Sequence, residues 1–265
     1  MDTLQKFHKK AFTLISVTGF AVIGLFLWLQ FTSQTDSVFN YSAALFSGLI
    51  FLISSLICFY YYKKIGDRGA ISTTILWTGI SNLLFVIGSV IWAYYVFFEG
   101  IESPYPSLSD VFFILMPVAY TFTLGSLLQI YKSSTKPSTW FIAIFVFAVL
   151  VYTTFILIGG SAFVEDVPFW ENFFNFAYTL SDSIYVGAGV ALLVIAGGKI
   201  YKGIFVWVLG MFLITLADIL FTYRATTGEL WNGDITDQLY TLSAIVFTYA
   251  VILLSKISEQ NKIII

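Results

Sequence analysis

The sequence predicts an all-α, polytopic membrane protein of eight transmembrane helices, and three observations predict it. The 265-residue chain is 58% apolar and 19% aromatic. Only 11% of it is charged, against about 25% in a soluble domain. Eight long apolar runs follow one another at 11–30, 38–62, 72–98, 109–131, 139–158, 175–197, 203–223 and 237–255. Each approaches or exceeds the roughly 20 residues a helix needs to cross a hydrocarbon core of about 30 Å. Membrane-spanning strands would instead give alternating segments of about ten residues.

The basic residues set the orientation. Lys6, Lys9 and Lys10 precede the first run, and Lys63, Lys64 and Arg68 follow the second. Lys132 and Lys136, then Lys199 and Lys202, then Lys256 and Lys262 fall at every second connection after that. All but Arg224 of the 13 basic residues therefore share one side, and basic loops stay in the cytoplasm. The expectation is a multi-pass cell-membrane protein with both termini cytoplasmic. The first run is longer than the roughly 7–15 residues of a signal-peptide core and has no small-residue cleavage site after Leu29, so it reads as a retained helix.

The chain has neither a linker nor a soluble stretch, and residues 1–265 read as one transmembrane domain. Its internal similarity is more informative. Each even-numbered helix is expected to open on the outer side with Ser or Thr, then Asp, any residue, a large apolar residue and an aromatic. The copies are Thr35-Asp36-Ser37-Val38-Phe39, Ser109-Asp110-Val111-Phe112-Phe113, Ser181-Asp182-Ser183-Ile184-Tyr185 and Thr236-Asp237-Gln238-Leu239-Tyr240. Four parallel hairpins are expected, over about 11–62, 72–131, 139–197 and 203–255. Inverted pairs, common in secondary transporters, are not.

A Ser, Thr or Asp at a helix start satisfies unpaired N–H groups and complements the positive end of the helix dipole. That explains Asp36, Asp110 and Asp237 as caps. Asp182 is different, because Phe173, Phe174, Phe176 and Tyr178 precede it. Either its helix starts at Ser181, or Asp182 lies two to three turns deep. Asp218 stands in mid-run, where an Asp costs about 2.5–3.5 kcal/mol on insertion scales. Such a residue faces a helix partner, a cavity or a ligand, or reaches upward to water. Arg224 is a through-space candidate for its counter-ion. Asn82 reads as interhelical glue. Tyr94, Tyr95, Trp92, Trp170, Tyr223 and Trp231 gather toward the outer boundary, as an aromatic belt or as part of a ligand cage. The candidate ligand-binding set is Asp218, Asp182, Asp110, Asp237, Tyr94, Tyr223 and Arg224.

Several chemistries are excluded or unsupported. His8 is the one histidine and Cys58 the one cysteine, so no His- or Cys-built zinc site is available. No run contains a lysine for a retinal Schiff base, and no Ser–His–Asp set exists within the membrane. Phosphate-loop, nucleotide and haem signatures are absent. No metal, cofactor or nucleic-acid partner is expected. Asn40-Tyr41-Ser42 fits a glycosylation sequon and reads as a chance match.

Trp92-Ala93-Tyr94-Tyr95, Gly100 and Pro104-Tyr105-Pro106-Ser107-Leu108-Ser109-Asp110-Val111-Phe112-Phe113 resemble the membrane-embedded sensor regions that precede diguanylate cyclase or histidine kinase domains in prokaryotic signalling proteins. The resemblance continues through Ala177–Asp182, Leu216-Ala217-Asp218 and Gly233–Tyr240. It implies a stimulus-sensing helical module. Ser89 stands where such regions often carry Asp, and no output domain follows, so signalling would pass through a separate partner protein. Gly210, Asp218 and Tyr240-Thr241-Leu242-Ser243-Ala244 are similar to the last two helices of the eight-helix lysoplasmalogenase family. That resemblance implies a lipid hydrolase with Asp218 in acid–base catalysis, although Ser89 again replaces the earlier aspartate.

The leading expectation is a membrane sensor or ligand-binding bundle with an outward-facing acidic recess that takes a small molecule or a lipid. The alternatives are a lipid-active hydrolase and an accessory subunit of a membrane complex.

Overall fold

The computed structural model describes residues 2–32, 37–66, 69–101, 104–131, 136–157 and 168–262. Among them every regular element is helical: α1 (Asp2–Phe31), α2 (Val38–Tyr41), α3 (Ala43–Ile65), α4 (Ala70–Phe98), α5 (Leu108–Ile130), α6 (Pro137–Leu157), α7 (Phe169–Ile195), α8 (Tyr201–Thr227) and α9 (Ile235–Lys262). Seven of these, α1, α3, α4, α5, α7, α8 and α9, are long and apolar enough to cross a membrane. The chain is thus an apolar helical bundle of the multi-pass membrane class. The expected eighth span corresponds to α6, whose described apolar stretch, Pro137–Thr153, is shorter than the others.

The sequence-adjacent pairs α3–α4, α4–α5, α6–α7 and α8–α9 pack side by side, and α7 also touches α5 and α8. At the centre stands α9, which meets α1, α3, α4 and α8. The outer faces are apolar. Phe12, Val17, Phe20 and Trp28 of α1 and Phe141, Ile144, Phe145 and Tyr152 of α6 are exposed, a surface suited to lipid rather than water.

Small residues let the helices approach. A Cβ added at Gly210 would lie 2.9 Å from the Phe247 ring, and one at Gly187 would lie 2.9 Å from the Ala143 carbonyl oxygen of α6. Polar side chains join the helices where they touch. Asn82 of α4 donates to Ser54 Oγ of α3 at 2.8 Å and accepts from the Tyr120 hydroxyl of α5 at 2.7 Å. Thr248 of α9 donates to the same Ser54 oxygen at 2.6 Å, and Trp207 Nε1 of α8 donates to Thr78 Oγ1 of α4 at 3.1 Å. Asn82 is the interhelical glue its position suggested.

Several local readings change. The second run is two helices, α2 and α3, meeting at Ser42. The sixth starts at Phe169, directly after Pro168, so Asp182 lies in mid-helix rather than at a cap. Proline is at home at a helix start because its missing N–H would be unpaired there anyway. His8 belongs to α1. It is 4% exposed, sits 2.7 Å from the Tyr61 hydroxyl and pairs with Glu259 at 3.3 Å, tying α1 to α3 and α9. Asn40 is buried and donates to the Asn232 carbonyl, so the sequon is not an exposed acceptor. Thr35, Asp36, Arg68 and Lys132 lie outside the described residues.

Candidate functional site

The starts of α3, α5 and α9 and the ends of α4 and α8 meet at one end of the bundle. Two of these starts carry acids for local reasons. Ser107 caps α5, and Asp110 answers by accepting from Ser107 N at 2.7 Å, a complete capping box. Asp234, directly before α9, accepts from Thr236 N at 2.7 Å and also from the Thr236 hydroxyl. Asp237 reaches back to Gly233 N at 2.7 Å. Both Asp110 and Asp237 therefore cap, as the sequence suggested, and Asp110 is fully buried while doing so.

Between these ends lies a recess with about 640 Å³ of atom-free space, including its open mouth. Its walls are Phe85, Ser89 and Trp92 of α4, Phe113 and Met116 of α5, Tyr178 of α7, and Phe221 of α8. The connection Leu230-Trp231-Asn232 closes one side, and Asp218, Asp237 and Tyr240 supply the polar end. Asp218 accepts a hydrogen bond from the Tyr240 hydroxyl. Among the described residues no basic side chain lines the recess.

Asp182 and Asp218 come together. Their carboxyls are within hydrogen-bonding reach of one another, and both side chains are buried, at 3% and 5% exposure. A second, smaller cavity opens behind this pair among α6, α7 and α8. Tyr178 and Asp218 belong to both cavity walls. Tyr178 is fixed there by donating to Asp110 Oδ1 at 2.9 Å. An ionised carboxylate only accepts hydrogen bonds. Two carboxyls in contact therefore need a proton or a cation between them.

The remaining sequence candidates sit elsewhere. Arg224 does not serve Asp218. It binds Asp234 Oδ2 at 2.9 Å, with Asp234 fully buried and Arg224 partly exposed. Burial pushes the Asp234 carboxyl above the usual carboxylate range, while Thr236 and the Arg224 guanidinium hold it back. Tyr94 is half-exposed and donates to Glu99 at 3.0 Å. Neither Tyr94 nor Tyr223 lines either cavity.

Three features of the mouth escaped the sequence reading. Trp92 Nε1 donates to Asn232 Oδ1 at 2.9 Å, pinning the α8–α9 connection to α4. Asp234 is the buried anchor of Arg224. Tyr105 donates to Asn175 of α7 and sets its ring edge-on to Phe221 at 5.3 Å, so the Pro-Tyr-Pro-Ser element straps α5 to α7 and α8. Burial raises the Tyr105 hydroxyl above its ordinary range, and the Asp110 and Glu171 charges add to the shift. The Ser/Thr-Asp pattern pointed at the acids, but nothing local marked their distant partners. No protein-family model, curated protein or solved structure matches this chain.

Proposed function

We propose that this chain is an integral membrane sensor that binds a small amphiphilic molecule or lipid in the recess and passes the change in helix packing to a separate partner protein. The carrying observation is the recess itself, an aromatic-walled space whose polar end presents the Asp218–Tyr240 pair and Asp237. Pockets that are mostly apolar with a few convergent polar groups are the usual form of a small-molecule site. The resemblance of residues 72–255 to prokaryotic sensor regions supports the same reading.

In this proposal α6 is an eighth span, both termini are cytoplasmic, and the recess faces outward across the cell membrane. The alternating placement of the lysines supports that orientation. A ligand touching α4, α5, α8 and α9 together would bias their packing, because α4, α5 and α9 are linked through Asn82, Tyr120, Thr248 and Ser54 of α3, and α8 is tied to α4 through Trp207 and Thr78.

Native mass spectrometry of protein gently extracted from its own membrane tests the proposal, with Asp218→Asn beside it. A discrete small-molecule or lipid adduct that the variant loses supports it. Bare protein in both samples removes it, and a retained polypeptide points to an accessory subunit.

One observation favours a second reading. The Asp182–Asp218 carboxyl pair adjoins the recess and is placed to hold and move a proton, as a lysoplasmalogenase-like lipid hydrolase requires. Purified protein incubated with mixed lipids would then release aldehyde or free headgroup; failure to do so rejects this reading.

A further inference from the structure

The second cavity has an unusual chemistry that the recess does not share. Its wall consists of Leu150 of α6, Tyr178, Thr179, Asp182 and Ser183 of α7, and Thr215, Asp218, Ile219 and Thr222 of α8. None of these side chains carries an N–H donor. Every hydroxyl proton in the wall is already given away. Thr179 donates to Asn175 O at 3.0 Å, Ser183 to Thr179 O at 2.7 Å, and Thr222 to Asp218 O at 2.9 Å. Thr215 donates to the Tyr185 hydroxyl at 2.8 Å, and Tyr178 donates to Asp110. What remains toward the cavity is oxygen lone pairs and two carboxyl groups. Asp182 Oδ1 is buried and receives no hydrogen bond from the described residues. Buried polar atoms are nearly always satisfied, so an orphan of this kind calls for an occupant.

From this we propose that the second cavity is a site for a small monovalent cation, with Na⁺ as the occupant, held by Asp182 and Asp218 and by the hydroxyl oxygens of Ser183, Thr215 and Thr222. A positive ion answers the whole wall at once. It needs acceptors only, it fills the unsatisfied Oδ1, and it compensates two carboxyls that otherwise face each other with no basic side chain among the described residues of the wall.

The oxygen set fits a monovalent ion better than a divalent one. Ca²⁺ takes about six to eight oxygens, chiefly carboxylates and free carbonyls. Here α7 and α8 are continuous helices whose carbonyls are engaged in their own ladders, and Asp218 already accepts from Tyr240. The neutral hydroxyls supply number but little charge. Entry runs from the recess past Tyr178 and Asp218, the two residues common to both walls. The inference stands on the second cavity and needs no ligand in the recess.

The test is thermal unfolding of the full chain in nanodiscs at constant ionic strength, with NaCl replacing N-methylglucamine chloride. Specific binding raises Tm in proportion to the logarithm of Na⁺ concentration once the site saturates. Asp182→Asn should abolish that dependence. Ser183→Ala removes one oxygen and leaves both carboxyls, so it should keep the fold and weaken apparent Na⁺ affinity by roughly fivefold. Should Asp182→Asn fail to fold, the Ser183→Ala titration decides alone. A wild-type Tm indifferent to Na⁺ overturns the proposal and leaves a shared proton or water in the cavity. Stabilisation by Ca²⁺ but not Na⁺ overturns the monovalent assignment.

Discussion

Arg224 and Asp234 do not contribute equally to their ion pair. Asp234 has no solvent contact, whereas Arg224 is about a quarter exposed. Removing the cation strands a buried charge, which costs about 3–5 kcal/mol. Removing the anion leaves a guanidinium that water can reach. Arg224→Met should therefore lower thermal stability far more than Asp234→Asn, and unfolding in detergent at neutral pH measures the difference. The sign of the pH effect follows from Asp234. Its carboxyl is raised in the folded protein, so its contribution is complete below the unfolded value of about 3.9 and is lost as pH rises through the folded one. Without Arg224 the shift grows, and acidification through that window should recover stability in Arg224→Met more than in the parent. Equal behaviour of the two variants would mean the pair is not buried as described. Asp234 was hidden in the sequence beside the Thr236-Asp237 motif, which drew attention to the later acid. Its pairing with Arg224 was not legible either, because a guanidinium one helix end away carries no local signature.

At the scale of elements, the helices themselves were largely legible, since each buries or exposes an apolar stretch long enough to see. Their ends were less so. The start of α7 at Phe169 is marked by Pro168, while the Ser181-Asp182 pattern further along mimicked a second start. The same motif falls in the first turns of α5 and α9, where Asp110 and Asp237 reach back to the N–H groups of Ser107 and Gly233, so its two meanings were separable only by what precedes it. Contacts between helices leave weaker traces, and the glycines are the best of them. Gly187→Ala would drive a Cβ to 2.9 Å from the Ala143 carbonyl. That is backbone, which cannot rotate aside, and overpacking of this kind costs about 1–3 kcal/mol. Gly125 of α5 meets nothing within 4 Å, so Gly125→Ala should be neutral or slightly stabilising, through helix propensity of up to about 1 kcal/mol. Thermal unfolding of both variants checks the pair. Equal losses would contradict the α6–α7 approach.

The whole molecule presents an apolar exterior and a polar seam inside it. The exterior was plain from composition, but the seam was not. Ser54, Asn82, Tyr120 and Thr248 come from four helices, and the chain separates the first from the last by 194 positions. No periodicity announces such a meeting when helices are apolar nearly all round. Orientation across the bilayer is testable at this scale. In a Cys58→Ala background, the exposed positions Glu229 and Lys199 can each be changed to cysteine. A membrane-impermeant maleimide applied to intact cells should label Glu229→Cys, and should label Lys199→Cys only after permeabilisation. The opposite pattern would invert the proposed topology.

The helix at the centre of the bundle, α9, comes later in the chain than every helix it packs against, which bears on how the protein is made. A ribosome feeds α1, α3, α4 and α8 into the bilayer before α9 arrives to stand among them. Until then Ser54 waits for Thr248, Asp218 for Tyr240 and His8 for Glu259. The nascent bundle therefore passes through a stage in which its most polar seam faces lipid or the insertion machinery. Assembly of these helices closes only when α9 slides into a gap the earlier ones have kept open.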